Sequence, residues 1–288
     1  MRKILGIMML SLMTFAAGAQ TGRIKEGLSF ESKTLKSKVN YAVYLPYNSD
    51  PSLRNYPVVF LLHGYSDNET GWIQYGEIDR IMNEGIINGT IPPMIIVMPD
   101  AKVTWYSNDY KGQIRFEDMF IQEFIPYIDA TFPTRPTKEF RAVAGLSMGG
   151  YGAMLYGLKH PELFTACAGL SAAILTQEEM KNRLSDDGFN LQNIYGPMVG
   201  DSLPSSWYHN SIIDIVKNCD AKTYKNLGIW LDCGDDDFLI KGNLSLQIAL
   251  IEKRIPNEFR VRNGAHTWSY WRTGIGPTLS FFGERFHK

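Results

Sequence analysis

Five short apolar runs, at 58–62, 94–98, 140–144, 167–170 and 227–231, constrain the fold of this chain more than any other feature. A mainly apolar run of four or five residues is too short for a helix and reads as a strand buried on both faces. Between these runs the spacing predicts helices over 77–88, 116–131, 150–160 and 244–254, and in the second of them Phe120, Phe124, Tyr127 and Ile128 fall on one stripe. Strands alternating with helices imply a mostly parallel central sheet with helices on both faces. Upstream, 28–33 and 40–45 alternate as paired strands do, which predicts an antiparallel N-terminal edge. The chain has 288 residues, 44% of them hydrophobic, enough for one domain of this kind over 20–288.

Two segments fall outside that rhythm. Arg2 and Lys3 precede an apolar stretch from Ile4 to Phe15 and the small residues Ala16, Ala17, Gly18 and Ala19. Basic start, short apolar stretch and small residues describe a secretory signal peptide over 1–19, so the mature protein is expected to be exported, periplasmic or extracellular. The stretch is too short to span a bilayer, and no cysteine stands at the cleavage point, so no membrane anchor is expected. The second segment, 185–210, is rich in Gly, Pro, Asn, Asp and Ser, with Tyr195, Met198, Trp207 and Tyr208 interspersed. It reads as an irregular insertion, either a lid or substrate loop or a surface excursion pinned by its aromatics.

The chemistry centres on Gly145-Leu146-Ser147-Met148-Gly149-Gly150, which follows one predicted strand and opens a predicted helix. At such a turn the serine is held in a strained backbone conformation with its hydroxyl clear of the sheet, and flanking glycines avoid collisions. Ser147 is therefore the expected nucleophile. The competing reading is a tight turn whose serine merely caps the helix.

A serine nucleophile needs a base, and the base an orienting carboxylate. In the order serine, acid, histidine, only His266 and His287 leave room for an acid. His287 is penultimate and expected to fray, whereas His266 lies in a small-residue loop after a predicted strand at 259–262. The acid comes from Asp232, Asp235, Asp236 or Asp237, just past a buried run. Asp237 is preferred because it precedes the apolar Phe238-Leu239-Ile240, which could anchor the loop. A rival set, His63, Asp100 and Ser147, has the His, Asp, Ser order of all-β proteases. The turn at His63-Gly64-Tyr65 has a better use, since it can supply one oxyanion amide from Tyr65 beside that of Met148. His160 is expected to end a helix on the surface, and His209 has no evident partner.

Cys167, Cys219 and Cys233 are too few for a disulfide framework and lack metal-ligand spacing; Cys167 and Cys233 read as core thiols, and one disulfide remains open. No cofactor and no metal is expected. With 29 basic and 30 acidic residues and a net charge of −1, nothing draws the chain to nucleic acid.

Taken together, the segments Leu61-Leu62-His63-Gly64, Met98-Pro99-Asp100, Ser147-Met148-Gly149-Gly150-Tyr151-Gly152-Ala153, His160-Pro161-Glu162-Leu163-Phe164, Cys233-Gly234 with Asp237-Phe238, and Gly264-Ala265-His266-Thr267-Trp268 resemble one family. It is the esterase family of S-formylglutathione hydrolase, bacterial feruloyl and acetylxylan esterases and the antigen 85 mycolyltransferases. The resemblance, which runs from Tyr41 to the C-terminus, implies an α/β-hydrolase fold, an acid at Asp237 and oxyanion amides at Tyr65 and Met148. Asp235-Asp236 depart from the Thr-Glu that relatives often carry there.

The resemblance together with the leader implies a secreted carbohydrate esterase, acting on a feruloylated or acetylated oligosaccharide. The leader argues against S-formylglutathione, a cytosolic substrate. Trp72, Trp105, Tyr106, Trp268, Tyr270 and Trp271 cluster beside the expected site loops and suit stacking on sugars or phenolic acids, though single aromatics more often fill cores. A thioesterase or acyltransferase on the same fold is the alternative, and a non-catalytic carbohydrate-binding protein is the alternative of another class.

Overall fold

The computed structural model describes residues 21–286 except 53, 187 and 188. The expected leader and His287 lie outside the described residues. Eight strands form one sheet: β1 (Arg23–Ser32), β2 (Ser37–Leu45), β3 (Val58–Leu62), β4 (Ile95–Pro99), β5 (Arg141–Leu146), β6 (Ala166–Leu170), β7 (Gly228–Gly234) and β8 (Glu258–Arg262). Their spatial order is β1-β2-β4-β3-β5-β6-β7-β8. From β4 to β8 every pairing is parallel, while β1 and β2 form the antiparallel edge. This is the α/β-hydrolase architecture.

Each central strand divides its residues between two cores, because successive side chains point to opposite faces. Val58, Phe60, Leu62, Val97, Val143, Cys167 and Leu231 join one core with the helices Met148–Lys159 and Ile240–Glu252. Val59, Leu61, Ile96, Ala144, Ala168 and Trp230 join the other with Ile78–Ile87 and Trp268–Phe286. With neither face open to water, the strands show as continuous apolar runs.

The structure differs from the sequence expectations in three details. The 116–131 segment is helical throughout but widens to a π turn at Phe120–Phe124 before Ile125–Thr131. Pro126 has no N–H and crowds the carbonyl a turn earlier, so a wide turn there relieves the clash. The stretch around Trp268, Tyr270 and Trp271 opens a helix, Trp268–Phe286, that the spacing did not predict, its pattern being interrupted by Gly274, Gly276 and Pro277. The 185–210 insertion carries the short helices Leu191–Tyr195 and Ser205–Tyr208. Tyr195 and Trp207 are buried against each other, and the Tyr195 hydroxyl donates to that of Tyr151 at 2.8 Å, so the insertion is pinned to the helix that follows Ser147.

The three cysteines are free thiols, with Cys167 and Cys233 buried. Burial pushes Cys167 up to about 12. Among the described residues no helix is long and apolar enough to cross a membrane.

Candidate active site

The C-terminal ends of β3, β5 and β7 and the loop after β8 converge on one point. Ser147 sits between β5 and the helix Met148–Lys159 with φ 53° and ψ −119°, a conformation a side-chain-bearing residue adopts only under constraint. Its backbone is held from both sides: Ser147 N–H donates to Leu170 O at 3.0 Å, and its carbonyl accepts from Ala173 N at 2.9 Å. A Cβ added at Gly145 would stand 2.3 Å from Gly149 O, and one at Gly149 would stand 2.4 Å from Leu62 O. The two glycines are therefore needed against each other and against β3.

The turn brings together three residues that are far apart in sequence. His266 Nε2 lies 3.0 Å from Ser147 Oγ, and His266 Nδ1 lies 2.9 Å from Asp237 Oδ2 and 3.1 Å from Oδ1. Nδ1–H then donates to the carboxylate, leaving Nε2 free to accept the serine proton. The imidazole is also fixed by its rings: Trp271 meets it edge-on at 4.8 Å and Phe238 packs at 4.6 Å.

The four candidate carboxylates separate by environment. Asp237 is buried and also accepts from Leu239 N at 2.9 Å. Burial opposes its ionisation, but hydrogen bonds from His266, the Leu239 amide and Ser171 outweigh this and hold its carboxyl below the usual range. Ser171 in turn accepts from Trp271 Nε1 at 3.0 Å, so one tryptophan braces both the histidine and the acid's partner. Asp232, equally buried, is occupied by Arg262 at 3.1 Å and the Tyr270 hydroxyl at 2.5 Å, and is a structural anion. Asp235 and Asp236 are exposed; Asp235 accepts from Gly264 N at 2.9 Å and shapes the histidine loop.

His63 does not join a triad with Ser147. Its Nε2 accepts from Ala101 N at 2.9 Å, so the proton sits on Nδ1, 2.8 Å from Gly64 O. The ring is 1% exposed, and with its two nitrogens engaged it ties the loop after β3 to the loop after β4. Asp100, 3.6 Å from Nε2, accepts from Lys102 N at 2.8 Å. His160 is not a bare helix end, since it meets the buried Glu117 at 3.1 Å. The exposed His209 reaches Ser205 O at 2.8 Å.

Tyr65 and Met148 flank the serine. A Cβ at Gly64 would be 3.6 Å from Ser147 Cβ, so the turn carrying Tyr65 runs beside it. Met148 is the first residue of its helix, where an amide has no partner within the helix.

Two cavities meet at Ser147. One is an apolar pit of about 30 Å³ lined by Tyr65, Trp105, Leu175, Arg183, Phe189 and Phe238. The other is an open cleft of about 350 Å³ that includes Asp67, His266, Thr267, Trp268 and Trp271. Of the aromatics expected to bind substrate, Trp105, Trp268 and Trp271 line these spaces. Trp72 and Tyr106 do not: Trp72 Nε1 donates to Leu62 O at 3.0 Å and Tyr106 OH to His63 O at 3.0 Å, both from within the core. Tyr270 is likewise buried on Asp232. Phe189 and Arg183 escaped the sequence reading, and Phe238 entered it only as a loop anchor, because nothing in their spacing marks three separate loops and helices as neighbours. Among the described residues no group of three His, Cys, Asp or Glu could hold a metal.

A doubly flanked parallel sheet with a hydrogen-bonded serine, histidine and aspartate at its strand ends is the framework of a serine hydrolase, and the chain is a carboxylic ester hydrolase. It belongs to the Esterase family, whose model matches residues 32–282. It is 37% identical over 172 residues to an endo-1,4-beta-xylanase/feruloyl esterase of Xylanibacter ruminicola, a match covering 56% of this chain but only 23% of that larger protein. It is 26% identical to an acetyl esterase of Caldicellulosiruptor saccharolyticus, over 89% of this chain and 97% of that one. Among solved structures it is similar to a ferulic acid esterase, with TM-score 0.79, 30% identity and coverage of 92% and 99%. A fluorophosphonate-binding serine hydrolase of Staphylococcus aureus aligns with TM-score 0.77, 25% identity and coverage of 91% and 98%.

Proposed function

We propose that the protein is an exported serine esterase that removes feruloyl or acetyl groups from plant polysaccharide, with Ser147 as nucleophile, His266 as general base and acid, and Asp237 as orienting carboxylate. The observation that carries this reading is the 3.0 Å contact of His266 Nε2 with Ser147 Oγ where the apolar pit meets the open cleft. An ester has one apolar and one polar half in such substrates. The pit suits the acyl group, and the cleft, with Asp67, Thr267 and the half-buried face of Trp268, suits a sugar alcohol. The similarity to the feruloyl and acetyl esterases supports the same choice.

Catalysis then runs in two acyl transfers. His266 takes the Ser147 proton as Oγ attacks the ester carbonyl, and the tetrahedral oxyanion is held by the Tyr65 and Met148 amides. Collapse breaks the bond to the alcohol, which leaves with the proton from His266. Water, deprotonated by His266, attacks the acyl-serine and releases the acid, returning the proton to Oγ. Asp237 holds the imidazole in the required tautomer and stabilises its charged form.

A panel of methyl ferulate, acetylated xylan, nitrophenyl acetate and S-formylglutathione tests the substrate. Turnover of ferulate or xylan esters is expected to dominate; preference for S-formylglutathione would support a thioesterase instead. Export is tested by N-terminal sequencing of protein recovered outside the cytoplasm, where an intact Met1 would contradict cleavage after Ala19.

A further inference from the structure

Arg183 occupies an unusual place for a cation. It lies on the helix Gln177–Asp186, away from the catalytic loops in sequence, yet lines the pit that ends at Ser147. Its guanidinium carbon is 4.7 Å from the ring centre of Phe189 and 5.7 Å from that of Phe238. Among the described side chains it faces these two rings and makes no ion pair. Phe238 is 57% exposed, so one wall of this arrangement is not locked in the core. With Arg183 in place the pit holds about 30 Å³, the space of one or two waters, which admits an acetyl methyl but not a phenyl ring.

A guanidinium is flat and delocalised and packs on aromatic faces much as an aryl ring does. A space between two phenyl rings that holds one will hold the other. We propose that Arg183 is the acyl-specificity residue of this enzyme: it fills the Phe189–Phe238 slot in the free protein and must leave it when the ring of an aryl-acyl ester enters, whereas a short acyl group enters without displacing it. The inference rests on the assignment of the pit to the acyl half. Its consequence is a penalty on aryl-acyl substrates equal to the lost contacts of Arg183 with the two rings, each modest at a partly exposed site.

The test compares kcat/KM for nitrophenyl cinnamate and nitrophenyl acetate in the wild-type protein, Arg183→Ala and Phe189→Ala. The expected result is a cinnamate-to-acetate ratio about five- to thirtyfold higher in Arg183→Ala, since the competitor for the slot is gone. Phe189→Ala should lower the ratio, because it removes a wall the ring needs. A ratio unchanged or reduced in Arg183→Ala would overturn the proposal, the reduced case meaning that the arginine holds the acyl group rather than yielding to it. Each ratio is internal to one preparation, so loss of folded protein does not imitate either outcome. Failure of the polysaccharide reading is separate: a wild-type protein that frees no ferulate or acetate from xylan refutes that reading and leaves the ratio test standing.

Discussion

Asp237 and His266 are joined by a 2.9 Å hydrogen bond in which a fully buried carboxylate meets a ring that is still one-fifth exposed. The acid is sequestered and the base is accessible, as proton transfer to an incoming substrate requires. Replacing Asp237 by Asn keeps the shape but lets the imidazole settle in the wrong tautomer. The expected loss in kcat is about 10³- to 10⁴-fold, while Asp235→Asn and Asp236→Asn stay within about tenfold of wild type. Steady-state kinetics of the three variants on nitrophenyl acetate check the assignment, and an inactive Asp235→Asn with an active Asp237→Asn would reverse it.

The two histidines near the site should fail in different ways. His266→Ala is expected to reduce acylation by at least about 10³-fold in protein that remains folded. His63→Ala removes a buried ring with its two hydrogen bonds and should cost about 2–4 kcal/mol, seen as a lower melting temperature with acylation still measurable. Loss of acylation confined to folded His63→Ala would restore the rival triad.

The sheet and the turn that carries Ser147 were legible before the structure because each has a local cause. Val58–Leu62 is continuous in apolar residues since its two faces are covered, and Gly145 and Gly149 stand where any Cβ would strike backbone. The acid was only partly legible. Four aspartates within six positions look alike, and what separates them is three-dimensional: Arg262 and Tyr270 claim Asp232, solvent takes Asp235 and Asp236, and Asp237 is buried at the histidine. The aromatics were less legible still. Trp72 and Trp271 are both tryptophans beside site loops in the sequence, but one is bolted to β3 and the other braces the imidazole.

The turn that carries Ser147 has no room for a larger residue. Gly149→Ala would drive its Cβ toward Leu62 O and His63 O, at 2.4 and 2.5 Å. Backbone must then shift, and a destabilisation of about 1–3 kcal/mol or more is expected. Chemical denaturation checks this, with Gly89→Ala, whose added Cβ meets nothing within 4 Å, as a comparison that probes only its left-handed φ of 72°.

Acid sensitivity should trace to Glu117, which is buried beneath the helix that follows Ser147. Burial raises its carboxyl, but His160 and Lys159, at 3.1 and 3.0 Å, outweigh this and hold it below its ordinary 4.5. A depressed folded-state value means that the stabilisation is complete above the unfolded value and is lost as pH falls through the folded one. Glu117→Gln should therefore cost about 1–3 kcal/mol at neutral pH and progressively less below about pH 4.5. Melting curves of the two proteins from pH 7 downward check the sign: a gap that widens on acidification contradicts it.

The nucleophile is the centre of the account, and covalent labelling addresses it directly. Folded protein treated with a fluorophosphonate, then measured by intact mass and peptide mapping, should gain one adduct on Ser147, with none in Ser147→Ala and sharply slowed labelling in His266→Ala. An unlabelled Ser147 in folded protein, or an adduct on another serine that persists in Ser147→Ala, would contradict it.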